Sequence, residues 1–198
     1  GLIKPSNINA VLDWLQNLET VNLIVLSLDT IAYGGLVSSR RCPETYEEIK
    51  TRILKLKEIL KTKKKENPNL KIYATSSIMR ISNNNINEEE KEYWDKWGKK
   101  IFDYSYQTHK LGTESCISNI IPSEILDDYL ATRKRNFEIN KLYLEYQKQG
   151  LFDTLVFSKD DLHDVISKEN IGRVWTICKN RRRRNSFDFT CKSGSEVF

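Results

Sequence analysis

The stretch from Leu23 to Arg41 constrains the fold most, because a short apolar run leads directly into a polar segment that contains glycine. The run Leu23–Leu26 is typical of a buried strand in an α/β sheet. The residues that follow it include Ser27, Asp29, Tyr33, Gly34, Gly35, Arg40 and Arg41. A strand that ends in an acidic residue and continues into a flexible loop with cations is a common way for α/β proteins to build a binding site. We therefore expect a site at this point of the chain.

Alternating strand and helix patterns follow along the chain. Two further apolar runs predict strands, at Leu70–Thr75 and Asp153–Phe157, and Val174–Cys178 is a candidate fourth strand. Apolar residues at helical spacing predict helices that begin near Ser6, near Thr45, near Asn87 with Glu90 as a capping partner, and at Pro122–Ser123. This order predicts an α/β fold with a mostly parallel sheet flanked by helices, as part of a (β/α) barrel or a doubly wound domain.

Polar residues follow all three predicted strands. Parallel strands joined by right-handed crossovers end at the same edge of the sheet. We therefore expect Asp29, Arg80, Asp160 and Asp161 to gather at that edge, with Arg40 on the loop above it. The alternative is that each aspartate only caps the helix that follows it.

Carboxylates close to a cation can carry out general acid–base hydrolysis, with one group neutral and the other charged. We predict Asp29 and one of Asp160 and Asp161 as the acid–base pair. The residues predicted to hold the substrate are Tyr33, Arg40, Arg80, Arg133, Asn136 and Asn140. Arg133 interrupts an apolar helix face, so it needs a carboxylate, a bound anion or water, and a structural ion pair is an equal alternative. We predict no metal site and no cofactor, although the same oxygen atoms also suit Mg²⁺ or Ca²⁺.

The bulk properties exclude several classes of protein. Of the formal net charge of +5, four positive charges lie in the run Arg181–Arg184, so a nucleic-acid surface is not predicted. No apolar window approaches the roughly 18 residues of a membrane span, and no secretory signal is visible. The four cysteines lack CxxC spacing, and with only two histidines, the chain supplies neither a zinc site nor a Ser-His-Asp triad. We expect a cytoplasmic protein that binds a small polar ligand and predict no oligomeric state.

The chain resembles a bacterial family catalogued as domain of unknown function 4127. The segments that carry the resemblance are SLDTIAYGGLVSSRR (Ser27–Arg41), IYATSSIMR (Ile72–Arg80), the R-x-R-N-x-x-x-N run from Arg133 through Asn136 to Asn140, and LVFSKDD (Leu155–Asp161). The resemblance covers about Val11 to Asp161 and implies no assigned activity. It also implies that family members are longer at both ends, so that this chain corresponds to an internal fragment.

A change in composition divides residues 1–174 from residues 175–198. The first part prefers lysine to arginine and is rich in Asn and Ile, whereas the second part is rich in arginine. We predict a single α/β domain over 1–174 and a basic, poorly ordered tail over 175–198. Because a run of GAA codons gives AGA when it is shifted in frame, we hypothesise that Arg181–Arg184 is a shifted glutamate run.

These observations predict a carboxylate-dependent, hydrolase-like enzyme that acts on a polar substrate such as a carbohydrate. Two alternatives remain open from the sequence. One is a non-catalytic module that binds an anion or a sugar in the same cleft, and the other is an inactive truncated fragment.

Overall fold

Three parallel strands form the centre of the fold, and helices flank them. A computed structural model of the chain describes residues 4–110, 116–159, 176–183 and 186–190, and its side chains over 4–108 and 117–158. The helices are α1 (Ile8–Gln16), α2 (Leu28–Tyr33), α3 (Ser38–Arg41), α4 (Tyr46–Glu66), α5 (Trp94–Ser105) and α6 (Ser123–Lys148), with a π-helical turn at Tyr106–Lys110 and a 3₁₀ turn at Cys116–Asn119. The strands are β1 (Leu23–Ser27), β2 (Lys71–Ile78), β3 (Thr154–Lys159), β4 (Thr176–Arg183) and β5 (Ser186–Thr190).

The strands lie in the sheet in the same order as in the sequence. Strands β1, β2 and β3 are parallel, whereas β4 pairs antiparallel with β3 and β5 pairs antiparallel with β4. The predicted α/β class, with parallel strands and flanking helices, is therefore confirmed. The candidate fourth strand begins at Thr176, two residues later than predicted.

One face of the parallel strands carries the core. Residues alternate between buried and exposed along β1 and β2, because successive side chains of a strand point to opposite faces. The buried side chains of the strands pack against buried side chains of α1, α4 and α6. This core includes Leu12, Leu15, Ile24, Leu26, Ile53, Leu60, Ile72, Ala74, Ile139, Tyr143, Leu155 and Phe157. A second cluster joins α5 to α6 through Trp94, Ile101, Leu126 and Tyr129. Each fully buried leucine or isoleucine contributes about 1.5–3 kcal/mol to stability, so these contacts fix α6 against the sheet.

The predicted loop after β1 is wrong, because the chain forms two short helices there. Asp29 lies in the first turn of α2, and Gly34 ends that helix with a φ of 86°. A Cβ atom on Gly34 would lie 2.7 Å from the Cβ of Pro5, and the carbonyl of Gly34 accepts a 2.8 Å hydrogen bond from the N–H of Ser6. Glycine is needed there for both its backbone conformation and this close approach.

The predicted start of the next helix is also wrong. The helix α5 begins at Trp94, and neither Asn87 nor Glu90 caps it. The carboxylate of Glu90 is instead buried among arginine side chains, because those cations need a partner. By contrast, the predicted capping box of α4 is present: Thr45 accepts from the N–H of Glu48, and the Glu48 carboxylate accepts from the N–H of Thr45.

Candidate functional site

The carboxyl ends of β1 and β2 meet, as the parallel arrangement requires. Asp29, just after β1, reaches across to β2 and accepts a 2.9 Å hydrogen bond from the backbone N–H of Ser77. The same carboxylate lies 3.3 Å from the hydroxyl of Ser76. The residue before α2 is Ser27, and Asp29 does not cap the helix. The capping alternative therefore does not apply to Asp29, which joins two strands at the edge of the sheet.

Burial gives Asp29 an unusual acidity. Its side chain is 6% exposed, and removal from water disfavours the charged form of a carboxyl group. This effect raises the pKa of Asp29 to about 6, although hydrogen bonds from Ser77 and Ser76 act in the opposite direction. A carboxyl group with such a pKa can both give up and take a proton close to neutral pH.

Polar side chains from β2, β3 and α6 surround Asp29. The hydroxyl of Ser76 donates to Oδ1 of Asn140 over 3.0 Å, and the Asn140 amide donates to the carbonyl of Ser77 over 3.4 Å. The hydroxyl of Ser77 lies 3.1 Å from that of Ser158 at the end of β3. We call Asp29, Ser76, Ser77, Asn140 and Ser158 the edge cluster. Ser77, Asn140 and Ser158 are only partly buried, so these three residues form the accessible side of the cluster.

Two of the predicted substrate-binding arginines are occupied by an ion-pair network. The guanidinium of Arg40, only 3% exposed, donates to Glu90 over 2.9 Å and to Glu89 over 3.2 Å. Arg80 donates to Glu89 over 2.7 Å and lies 3.7 Å from Glu90. Burial raises the pKa of Glu90, and the charges of Arg40 and Arg80 oppose that shift. These contacts attach the segment before α5 to α3.

The remaining predicted residues lie on or beside α6. Arg133 donates to the carbonyl of Met79 over 3.2 Å, at the carboxyl side of β2. Asn136 is buried and donates to the carbonyl of Ser39 over 2.9 Å, so it holds α3 in place. Tyr33 is also buried, and burial raises the pKa of its hydroxyl. Asn136 also contacts Met79, because its amide nitrogen lies 3.6 Å from the Met79 sulfur, so Arg133 and Asn136 both reach the residue that follows β2. Asp160 and Asp161, the predicted second carboxylates, lie outside the described residues.

The sequence interpretation missed the role of Arg135. Its guanidinium donates to the carbonyl groups of Ser39, Cys42 and Glu44 over 2.8 Å each. It also lies over the ring of Tyr33, 5.5 Å from the ring centroid. Arg135 therefore positions the segment that carries Arg40.

The partners of Arg40 and Arg80 could have been found in the sequence. Glu88–Glu90 is its one run of three acidic residues, and buried arginines require carboxylates.

The arrangement limits the chemistry of the site. Among the described side chains, no group of three carboxylate, cysteine or histidine side chains converges to hold a metal ion. Within the same part of the chain, no helix is long and apolar enough to span a membrane. The edge cluster offers one carboxyl group that titrates near neutral pH and several neutral hydrogen-bonding groups. It suits proton transfer and the binding of hydroxyl groups.

The fold and the edge cluster define an α/β protein with a candidate polar site at the carboxyl edge of its parallel strands. A family model described as "Protein of unknown function (DUF4127)" matches residues 2–176, and the chain therefore belongs to the DUF4127 family. No curated protein and no solved structure matches the chain. The match ends close to the change in composition at Trp175, and the shifted-frame origin of residues 175–198 stays a prediction.

Proposed function

We propose that the chain forms part of a carboxylate-dependent, hydrolase-like enzyme that acts on a polar substrate such as a carbohydrate. The observation that carries the proposal is the burial of Asp29 at the carboxyl edge of the strands, with a pKa raised to about 6. Asp29 is the proton-transfer group in this proposal. Ser77, Ser158 and Asn140 are suited to bind substrate hydroxyl groups, since each is only partly buried and carries a neutral hydrogen-bonding side chain.

The second carboxylate of the proposed pair is Asp160 or Asp161, which directly follow β3 in the sequence. Glycosidic hydrolysis uses two carboxyl groups about 5–10 Å apart, one as an acid and the other as a base or nucleophile. The pKa of about 6 suits Asp29 to either role, because a carboxyl group that titrates close to the working pH can act as an acid when protonated and as a base when ionised.

The test is turnover of a panel of glycosides and carboxylic esters by the purified full chain. The Asp29→Asn variant should lower kcat by about 10²–10⁴-fold, the usual contribution of a positioned acid or base. The Asp13→Asn variant is the matched control, because Asp13 is an exposed carboxylate on α1 that pairs with Lys55. The pH profile of the wild-type enzyme should have a limb near pH 6. Equal activity in the wild-type and Asp29→Asn chains would contradict the proposal.

The second candidate is a module that binds a neutral sugar without catalysis. It is favoured by the pairing of Arg40 and Arg80 with glutamates, because neutral hydroxyl and amide groups then dominate the edge cluster. Calorimetric titration with the same glycosides distinguishes the two functions. Binding without turnover, retained in Asp29→Asn and weakened in Ser77→Ala, would support the module.

A further inference from the structure

The inference concerns Ser76, whose single hydroxyl proton has two acceptors within reach. Its oxygen lies 3.3 Å from Oδ1 of Asp29 and 3.0 Å from Oδ1 of Asn140. The Ser76 side chain is 1% exposed, so bulk water does not compete for its proton. The amide nitrogen of Asn140 faces the carbonyl of Ser77, which fixes the oxygen of Asn140 towards Ser76. A hydroxyl donates one proton at a time, and both acceptors are satisfied only if one of the partners supplies a second proton.

Asp29 is the partner that can supply it. When Asp29 is protonated, it donates to Ser76, Ser76 donates to Asn140, and every group in the chain of hydrogen bonds is satisfied. When Asp29 gives its proton to solvent, the carboxylate attracts the hydroxyl proton of Ser76, because hydrogen bonds to charged acceptors are the stronger ones. The oxygen of Asn140 then loses its donor and is free to accept from another group.

We propose that Ser76, on β2, is a positioning residue that transmits the protonation state of Asp29 on α2 to Asn140 on α6. Ionised Asp29 leaves Asn140 as a free acceptor at the edge of the sheet, whereas protonated Asp29 keeps Asn140 bound to Ser76. The consequence for a ligand rests on the proposed function: a substrate hydroxyl that donates to Asn140 favours the ionised form of Asp29. Ligand binding is then coupled to the release of a proton.

The groups around Asp29 leave it as the titrating residue of this neighbourhood in the described part of the chain. Burial raises the pKa of Tyr33 on α2, of Tyr143 on α6 and of Cys42 after α3, so these groups stay neutral near pH 6. The cations that act on these tyrosines are Arg135 on α6, near Tyr33, and Arg52 on α4, near Tyr143. Burial also raises the pKa of Glu90, which contacts Arg40 and Arg80. An Asn140 shift caused by the titration of Glu90 would persist in the Asp29→Asn variant, whereas a shift caused by Asp29 would disappear.

The test is a pH titration of the full chain by nuclear magnetic resonance, without any ligand. The carboxyl carbon of Asp29 and the side-chain amide nitrogen of Asn140 should shift together, with one midpoint near pH 6. The Asn140 shift should disappear in Asp29→Asn. In Ser76→Ala, Asp29 should still titrate while most of the Asn140 shift is lost. The control is Thr75→Val, which removes a neighbouring hydroxyl that contacts the carbonyl of Leu26 instead, and it should leave the Asn140 shift unchanged.

Two outcomes would overturn the proposal. One is an Asn140 shift in Ser76→Ala equal to that of the wild type, since the effect would then pass through space and not through Ser76. The other is an Asn140 amide that does not respond while Asp29 titrates in the wild type, a result that decides the question even if Ser76→Ala fails to fold. Neither outcome depends on turnover, so a failure of the proposed enzyme function is recognised separately by the activity of Asp29→Asn.

Discussion

Asp29 combines a structural and a chemical role at the scale of a single residue. Its carboxyl group ties α2 to the backbone of β2 through the N–H of Ser77. The same burial raises its pKa to about 6. Below the ordinary carboxyl pKa, both the folded and the unfolded chains carry the proton. Between that value and about 6, the folded chain holds a proton that the unfolded chain has lost, and stability must therefore fall as the pH rises.

The first prediction concerns this pH dependence. A difference of about two pKa units corresponds to roughly 3 kcal/mol of unfolding free energy, which the wild type should lose between about pH 4 and pH 6 as Asp29 ionises. The Asp29→Asn variant should lack this part of the pH dependence, because asparagine does not ionise. Urea denaturation of the wild type and of the variants at a series of pH values measures the unfolding free energy, with Asp13→Asn as the control. Parallel pH profiles for the wild type and Asp29→Asn would contradict the assignment.

At the scale of secondary-structure elements, charged side chains hold the segments around the sheet edge in place. Arg40, on α3, is almost fully buried and pairs with Glu89 and Glu90 before α5. Two buried charges lose hydration energy that their mutual attraction only partly restores. Removal of one partner therefore costs much more than removal of both.

The second prediction follows from this asymmetry. Glu90→Gln should lower the unfolding free energy by about 3–5 kcal/mol, because Arg40 is left with an incompletely compensated buried charge. The double variant Arg40→Met with Glu90→Leu should lose less unfolding free energy than the sum of the losses in Arg40→Met alone and Glu90→Leu alone. Glu47→Gln is the control, since Glu47 forms an exposed pair with Lys50 and such pairs contribute about 0–1 kcal/mol. Thermal or chemical denaturation of all variants gives the comparison, and strict additivity would show that the two charges do not interact.

At the scale of the whole molecule, the described residues bury one face of β1 and β2 and leave the other face exposed. Leu26 is 8% exposed and faces α1, α4 and α6, whereas its neighbour Val25 is 68% exposed. Leu23 and Tyr73 lie on the same exposed face as Val25, at 50% and 42% exposure. Parallel sheets usually have both faces covered, whereas the helices of the described part of the chain cover the face of Leu26 and leave Val25 exposed.

The third prediction compares these two neighbouring residues. Leu26→Ala should lower the unfolding free energy by about 2–5 kcal/mol, because it leaves a cavity in the core. Val25→Ala should cost less than about 1 kcal/mol, since it changes only strand propensity on an exposed face. Denaturant titration of both variants at the same pH measures the difference. Equal losses would indicate that another part of a longer chain or a second copy covers the face of Val25.

The sequence by itself determined the elements that local patterns specify. The apolar runs located the three parallel strands, the helical stripes located α1, α4 and α6, and the capping box at Thr45 and Glu48 marked the start of α4. Local patterns succeed here because each depends on residues close together in the chain. They also placed Asp29 at the end of a strand, which was sufficient to single it out.

Only the tertiary structure decided which side chains meet. The pairing of Arg40 with Glu90 joins residues 50 positions apart, and the contact of Asp29 with Ser77 spans 48 positions. A contact between residues so far apart in the sequence is not visible in a local pattern. The sequence therefore could not show that Arg40, one of the arginines predicted to bind substrate, is one that forms ion pairs. The acidity of Asp29 likewise depends on its burial by distant elements, because the carboxyl group loses contact with water only when α2 packs against the sheet.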